Sequence, residues 1–132
     1  MDMVLHDNRS NRKKNKLWNS FRYAFAGIGV AIKRERNFQI HLLASGLVIG
    51  FSVFLSISKI EWLFVLAAIG GVLSLELVNS AMERVVDLVT EEYHPLAKLA
   101  KDFAAGAVLV YAIMTAGIGL IIFMPKLIQL FS

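Results

Sequence analysis

The chain has 132 residues, 57% of them hydrophobic, with 14 Lys and Arg against 10 Asp and Glu for a formal net charge of +4. That length suits one domain, and the absence of cysteine excludes a disulfide framework or a thiolate metal site. A modest positive excess on so apolar a chain is accounted for without nucleic acid, because anionic lipid headgroups are the nearer partner.

Residues 1–15 carry Arg9, Arg12, Lys13 and Lys14 and are expected to form a flexible basic tail. They have no apolar core before a small-residue cleavage site, so they do not read as a secretory signal. From about 16 to 35, Leu17, Trp18, Phe21, Phe25, Ile28 and Ile32 recur at helical spacing, while Lys16, Asn19, Arg22 and Lys33 lie largely off that stripe. This pattern predicts an amphipathic helix in the membrane interface, serving as an anchor or as a lid. Gly27 and Gly29 weaken its middle.

Residues 16–132 read as a single integral-membrane domain with three apolar spans, about 38–57, 62–89 and 103–124, each reaching the roughly 20 residues needed to cross a bilayer core. His41, one turn into the first span, reads as a buried neutral histidine with a hydrogen-bond partner rather than a metal ligand. Gly46 and Gly50 offer a close helix approach, as do Gly70, Gly71 and Ser74 in the second span. Trp18 and Trp62 read as interfacial anchors.

Nine of the fourteen cations precede the first span, and the connection between spans one and two carries only Lys59. Lys98 and Lys101 lie between spans two and three. The positive-inside tendency then puts the N-terminus and the second connection in the cytoplasm, with Lys59 and the C-terminal tail opposite.

The second span contains the most informative stretch. Glu76, Asn79, Ser80, Glu83 and Asp87 fall in one narrow helical stripe, and Leu77, Val78, Met82, Val85 and Val86 point elsewhere. A carboxylate at the bilayer centre costs roughly 2.5–3.5 kcal/mol on insertion scales, so several on one face imply use, against the plainer alternative of a polar stripe that glues helices. Glu76 falls inside the membrane near the cytoplasmic side, and Glu83 lies about 10 Å further along at the boundary. A carboxylate at the first depth can take a proton from a hydroxyl near the headgroups. Carboxylates at the second, such as Glu83 and Glu35, are hard oxygen ligands suited to Mg²⁺. Together they suit phosphoryl transfer from a nucleotide to a membrane alcohol. No Walker-type or protein-kinase glycine loop is present, and on these grounds alone a proton-coupled carrier stays open.

Glu76-x-x-Asn79-Ser80-Ala81-x-Glu83-x-x-x-Asp87, then Glu92-Tyr93-His94, then Ala100-Lys101-Asp102-x-x-Ala105-Gly106, resembles the small bacterial integral-membrane diacylglycerol kinase family. Residues 35–41, 94–98 and 119–126 are most similar to its Gram-positive branch, which phosphorylates undecaprenol, and the likeness runs over about residues 16–127. The resemblance implies an all-α membrane protein, homotrimeric, with three transmembrane helices and an interfacial N-terminal helix per protomer and active sites shared between neighbours.

Carried over by motif, Glu76 is the base and Asn79 orients the reacting groups beside it. Glu35 and Glu83 hold Mg²⁺ on the ATP phosphates, and Lys16, Tyr23, Glu92, Tyr93, His94, Lys101 and Asp102 meet the nucleotide. Lys16 stands where the diacylglycerol branch has arginine, and lysine lacks the bidentate fork. Plainer roles compete: Asp87 as a partner of Arg84 or Lys101, Glu91 as a solvated loop charge, Arg84 as a snorkelling cation, and Asp102 as a cap of the third span.

The expected function is ATP-dependent phosphorylation of undecaprenol in the cell membrane, with the active site cytoplasmic. Diacylglycerol is the rival acceptor, and an oligomeric proton or cation carrier is the rival from another class.

Overall fold

A computed structural model describes the backbone of residues 2–131 and the side chains of residues 16–131. Residues 2–15, expected to form a flexible basic tail, have a helical backbone. Four helices follow in order: α1 (Asp2–Arg34), α2 (Arg36–Phe54), α3 (Lys59–Val89) and α4 (Pro95–Phe131). The last three are each long and apolar enough to cross a membrane. The chain divides into two compact units, residues 1–35 and 36–132.

In the first unit the apolar stripe is open: Leu17, Trp18, Phe21 and Phe25 are all exposed. Trp18, Phe21, Arg22 and Phe25 border one shallow pocket, and the Arg22 guanidinium lies 5.4 Å from the centroid of the Tyr23 ring. Glu35, whose amide donates to the Ala31 carbonyl at 2.9 Å, is the one non-helical residue between α1 and α2.

In the second unit α3 packs chiefly against α4 and less extensively against α2. One end of the bundle is apolar. Ile57, Val65 and Ile122 are buried there, with Trp62, Ile69, Ile118 and Phe123 packed against them. Trp62 is thus a packing residue of this cluster, beyond the anchor role expected of it. Phe51 meets Phe123 edge-to-face with centroids 6.1 Å apart.

The turn at this end is set by its hydrogen bonds. Ile57 N–H reaches the Ser52 carbonyl and Ser56 N–H the Val53 carbonyl, the paired pattern that ends a helix through a left-handed residue. Ser56 occupies that position with φ 47°. Ser58 then starts α3 with a reciprocal cap: its backbone N–H donates to Glu61 at 2.6 Å, and its hydroxyl accepts from the Glu61 N–H. The same Glu61 carboxylate meets Lys126 at 3.3 Å, fastening α3 to α4.

Two hydroxyls inside the first span are satisfied within their own helix. Ser45 donates to the His41 carbonyl and Ser52 to Val48, both at 2.7 Å, which removes the cost of bare donors in an apolar medium. His41 itself is half-buried rather than enclosed.

The glycines divide sharply. A Cβ at Gly46, Gly50 or Gly70 would meet nothing within 4 Å, so no other helix of this chain packs closely on these residues. A Cβ at Gly71 would collide with the Tyr111 ring, whose hydroxyl donates to the Ala67 carbonyl at 3.0 Å. Gly71→Ala is therefore expected to destabilise the protein by about 1–3 kcal/mol, the range for overpacking, despite alanine's better helix propensity. Unfolding in detergent with Tyr111→Phe alongside checks this, because Tyr111→Phe should lose only the hydrogen bond, about 0.5–1.5 kcal/mol.

Candidate active site at the polar end of the bundle

At 1.5 Å per residue the 31 residues of α3 run for about 46 Å, well beyond a hydrocarbon core of about 30 Å. The surplus lets one helix carry a polar stripe from the bundle interior out to its rim. Along that stripe burial falls steadily. Glu76, Asn79 and Ser80 are 3%, 4% and 8% exposed, Glu83 is half-buried, and Asp87 is exposed.

Asn79 Nδ2 donates to Glu83 Oε1 at 3.2 Å. An ionised carboxylate only accepts, so the amide nitrogen must face Glu83, which turns Oδ1 the other way. That Oδ1 is buried and has no protein partner. A buried orphan acceptor costs about 1–3 kcal/mol, and its retention one turn from Glu76 marks a place where a donor is expected to arrive.

Beyond Glu83 the chain builds a charged cavity of about 360 Å³ around the α3–α4 connection, edged by Asp87, Thr90, Glu92, Tyr93, His94, Lys98, Lys101 and Asp102. Local chemistry explains its shape. Thr90 stops α3 in an extended conformation, its N–H still bonded to the Val86 carbonyl. Its hydroxyl accepts from the Glu92 N–H at 3.1 Å and tightens the turn. His94 caps α4: its carbonyl accepts from Lys98 N–H at 3.0 Å and its Nδ1 from Leu96 N–H at 3.3 Å. Pro95 follows at the first helical position, where no amide is missed.

α4 thus begins eight residues before the expected span. Asp102, read as a possible cap, lies two turns inside the helix and pairs with Lys98 at 2.5 Å. Lys101 crosses to α3 and pairs with Asp87, also at 2.5 Å. Lys101 is one of the two partners weighed for Asp87. Glu91 is exposed, as expected of a loop charge.

The expected residues therefore fall into groups. Glu76, Asn79 and Glu83 share one face of α3, and Glu92, Tyr93, His94, Lys101 and Asp102 ring one cavity at its end. Lys16, Tyr23 and Glu35 belong to the first unit. Lys98 was not singled out for the site, although its spacing of four from Asp102 on a helix is a readable ion-pair signal; Thr90 was likewise missed.

Among the described residues no three His, Asp or Glu side chains stand close enough together to hold a metal ion by themselves. A divalent ion held by Glu83 would complete its shell with phosphate oxygens and water, which is the habit of Mg²⁺. The donor chemistry fits that ion.

The family model for prokaryotic diacylglycerol kinase matches residues 22–123. The chain is similar to undecaprenol kinase of Bacillus subtilis, at 50% identity over 92% of this chain and 99% of the relative. It is 44% identical to diacylglycerol kinase of Synechocystis, over 84% of this chain and 64% of that one. With diacylglycerol kinase of Escherichia coli the identity is 32%, over 70% and 75% respectively. Matched along most of its length by that family model and by these relatives, this chain belongs to the prokaryotic diacylglycerol kinase family.

Proposed function

We propose that the protein transfers the γ-phosphoryl group of ATP to undecaprenol at the cytoplasmic face of the cell membrane. The observation that carries this reading is the polar face of α3. It runs from an enclosed carboxylate at Glu76 to a half-buried one at Glu83 within a helix long enough to span the bilayer. The 50% identity to a named undecaprenol kinase over nearly the whole chain supports this acceptor over diacylglycerol.

In this reading the lipid hydroxyl enters beside Glu76, which takes its proton as the oxygen attacks the γ-phosphorus; the bond from that phosphorus to the β–γ bridging oxygen breaks and ADP leaves with the oxygen. Asn79, fixed by Glu83, turns Oδ1 toward the reacting groups and orients them. By the family resemblance, Glu83 and Glu35 would hold Mg²⁺, which would offset charge on the phosphate oxygens. Lys101 supplies cationic donors to the polyphosphate. Glu92, Tyr93, His94 and Asp102 form the rest of the nucleotide site, with Lys16 and Tyr23 contributed from α1. Catalysis of this kind is chiefly positioning and charge stabilisation.

The exposed aromatic stripe of α1 suits an interfacial amphipathic helix. The broad apolar exteriors of α2, α3 and α4 suit lipid contact and a homotrimer with shared sites. The charge asymmetry supports a cytoplasmic N-terminus.

Purified protein in mixed micelles, given Mg²⁺ and ATP with undecaprenol or diacylglycerol, tests the acceptor. Undecaprenol is expected to turn over at the higher kcat/KM; faster phosphorylation of diacylglycerol would reverse the assignment.

A further inference from the structure

We propose that Asp87 is a positioning residue for phosphoryl transfer, holding the ammonium of Lys101 on the carboxylate face of α3. The inference deepens the kinase reading and rests on its assignment of Lys101 to the polyphosphate. Asp87 follows Glu83 by four residues on the same stripe, about 6 Å further along the helix axis. Its Oδ1 lies 2.5 Å from Lys101 Nζ, across fourteen residues and from α3 to α4. The pair therefore brings a cation from one helix onto the face that the other helix lines with carboxylates.

A lysine stem has four rotatable carbons and sets no position for its own head group. The other pair at this cavity, Lys98 with Asp102, closes within α4 and leaves Lys101 to Asp87. Stability is a poor explanation for the contact. The Asp87 side chain is 60% exposed and that of Lys101 39%, and ion pairs so open to water contribute little to folding. Nor does the carboxylate block the site. An ammonium has three donors, so Asp87 engages one and leaves two for phosphate oxygens at the mouth of the cavity.

These features give Asp87 a kinetic signature of its own. Asparagine keeps the shape and one acceptor oxygen but loses the charge-assisted bond, so Lys101 spends less time in register with the transferring group. The same change removes an anion from the neighbourhood of the polyphosphate, so nucleotide affinity should not fall. Turnover drops while KM for ATP stays level or declines.

The test uses the full-length protein in lipid–detergent micelles with saturating lipid acceptor, with turnover expressed per nucleotide site titrated on the same sample. Asp87→Asn is expected to lower kcat about tenfold, which corresponds to about 1.4 kcal/mol, without raising KM for ATP. Asp87→Glu can rebuild the pair and should restore most of the loss. Wild-type kcat in Asp87→Asn, beside a strongly impaired Lys101→Gln, would overturn the inference and leave the kinase site standing. Loss of nucleotide binding in Asp87→Asn would overturn it too, by making Asp87 part of the binding site or of the fold. Wild-type turnover in Lys101→Gln would remove the kinase reading of that lysine itself.

Discussion

Glu76→Gln is expected to lower lipid phosphorylation by roughly 10²–10⁴-fold, the contribution usual for a positioned general base, with ATP still bound. Glutamine is nearly isosteric, so the packing that leaves Glu76 only 3% exposed should survive the change. What is lost is the ability to accept a proton inside the membrane. Nucleotide titration beside a turnover assay separates the two effects. Equal loss of binding and turnover would mean that Glu76 belongs to the nucleotide site instead.

The second large effect is expected at Glu83. Its Oε1 accepts from Asn79, and a glutamine there can still accept that bond through its carbonyl, so the orientation of Asn79 is kept. The anionic charge on a divalent ion is not kept. Outer-shell partners of bound metals are alone worth about 10–100-fold in affinity, and a direct carboxylate ligand should exceed that. Glu83→Gln is therefore expected to raise the Mg²⁺ concentration for half-maximal activity by at least about tenfold, with partial recovery of turnover at high Mg²⁺. Glu35→Gln should behave alike. A Glu83→Gln protein whose Mg²⁺ dependence is unchanged would separate this residue from the metal.

Much of this architecture is readable in the sequence because membrane spans and helical stripes are periodic signals. The three spans and the common face of Glu76, Asn79 and Glu83 follow from apolar run length and 100° spacing, and the structure has both. Helix ends are harder. The third span was expected from 103, yet α4 opens at Pro95, because its first two turns hold Lys98, Lys101 and Asp102 and lack the apolar run used to find it. It also continues through Pro125 to Phe131.

Contacts between helices are harder still. Nothing local to Gly71 distinguishes it from Gly70, and only the arrival of Tyr111 from forty residues away gives it a role. The choice of Lys101 for Asp87 likewise depends on how α3 and α4 cross, which spacing along either helix alone does not encode. The cavity at the α3–α4 connection was legible as a set of residue types after α3; its shape comes from the Thr90 turn and the His94 cap.

The most direct trial of the account follows one phosphoryl group. Purified protein supplied with Mg²⁺, γ-labelled ATP and undecaprenol should release ADP and carry the label into an organic-soluble lipid monophosphate in equal amounts, and Glu76→Gln should stop both. ATP hydrolysis with the label recovered only as inorganic phosphate, or full transfer by Glu76→Gln, would contradict it.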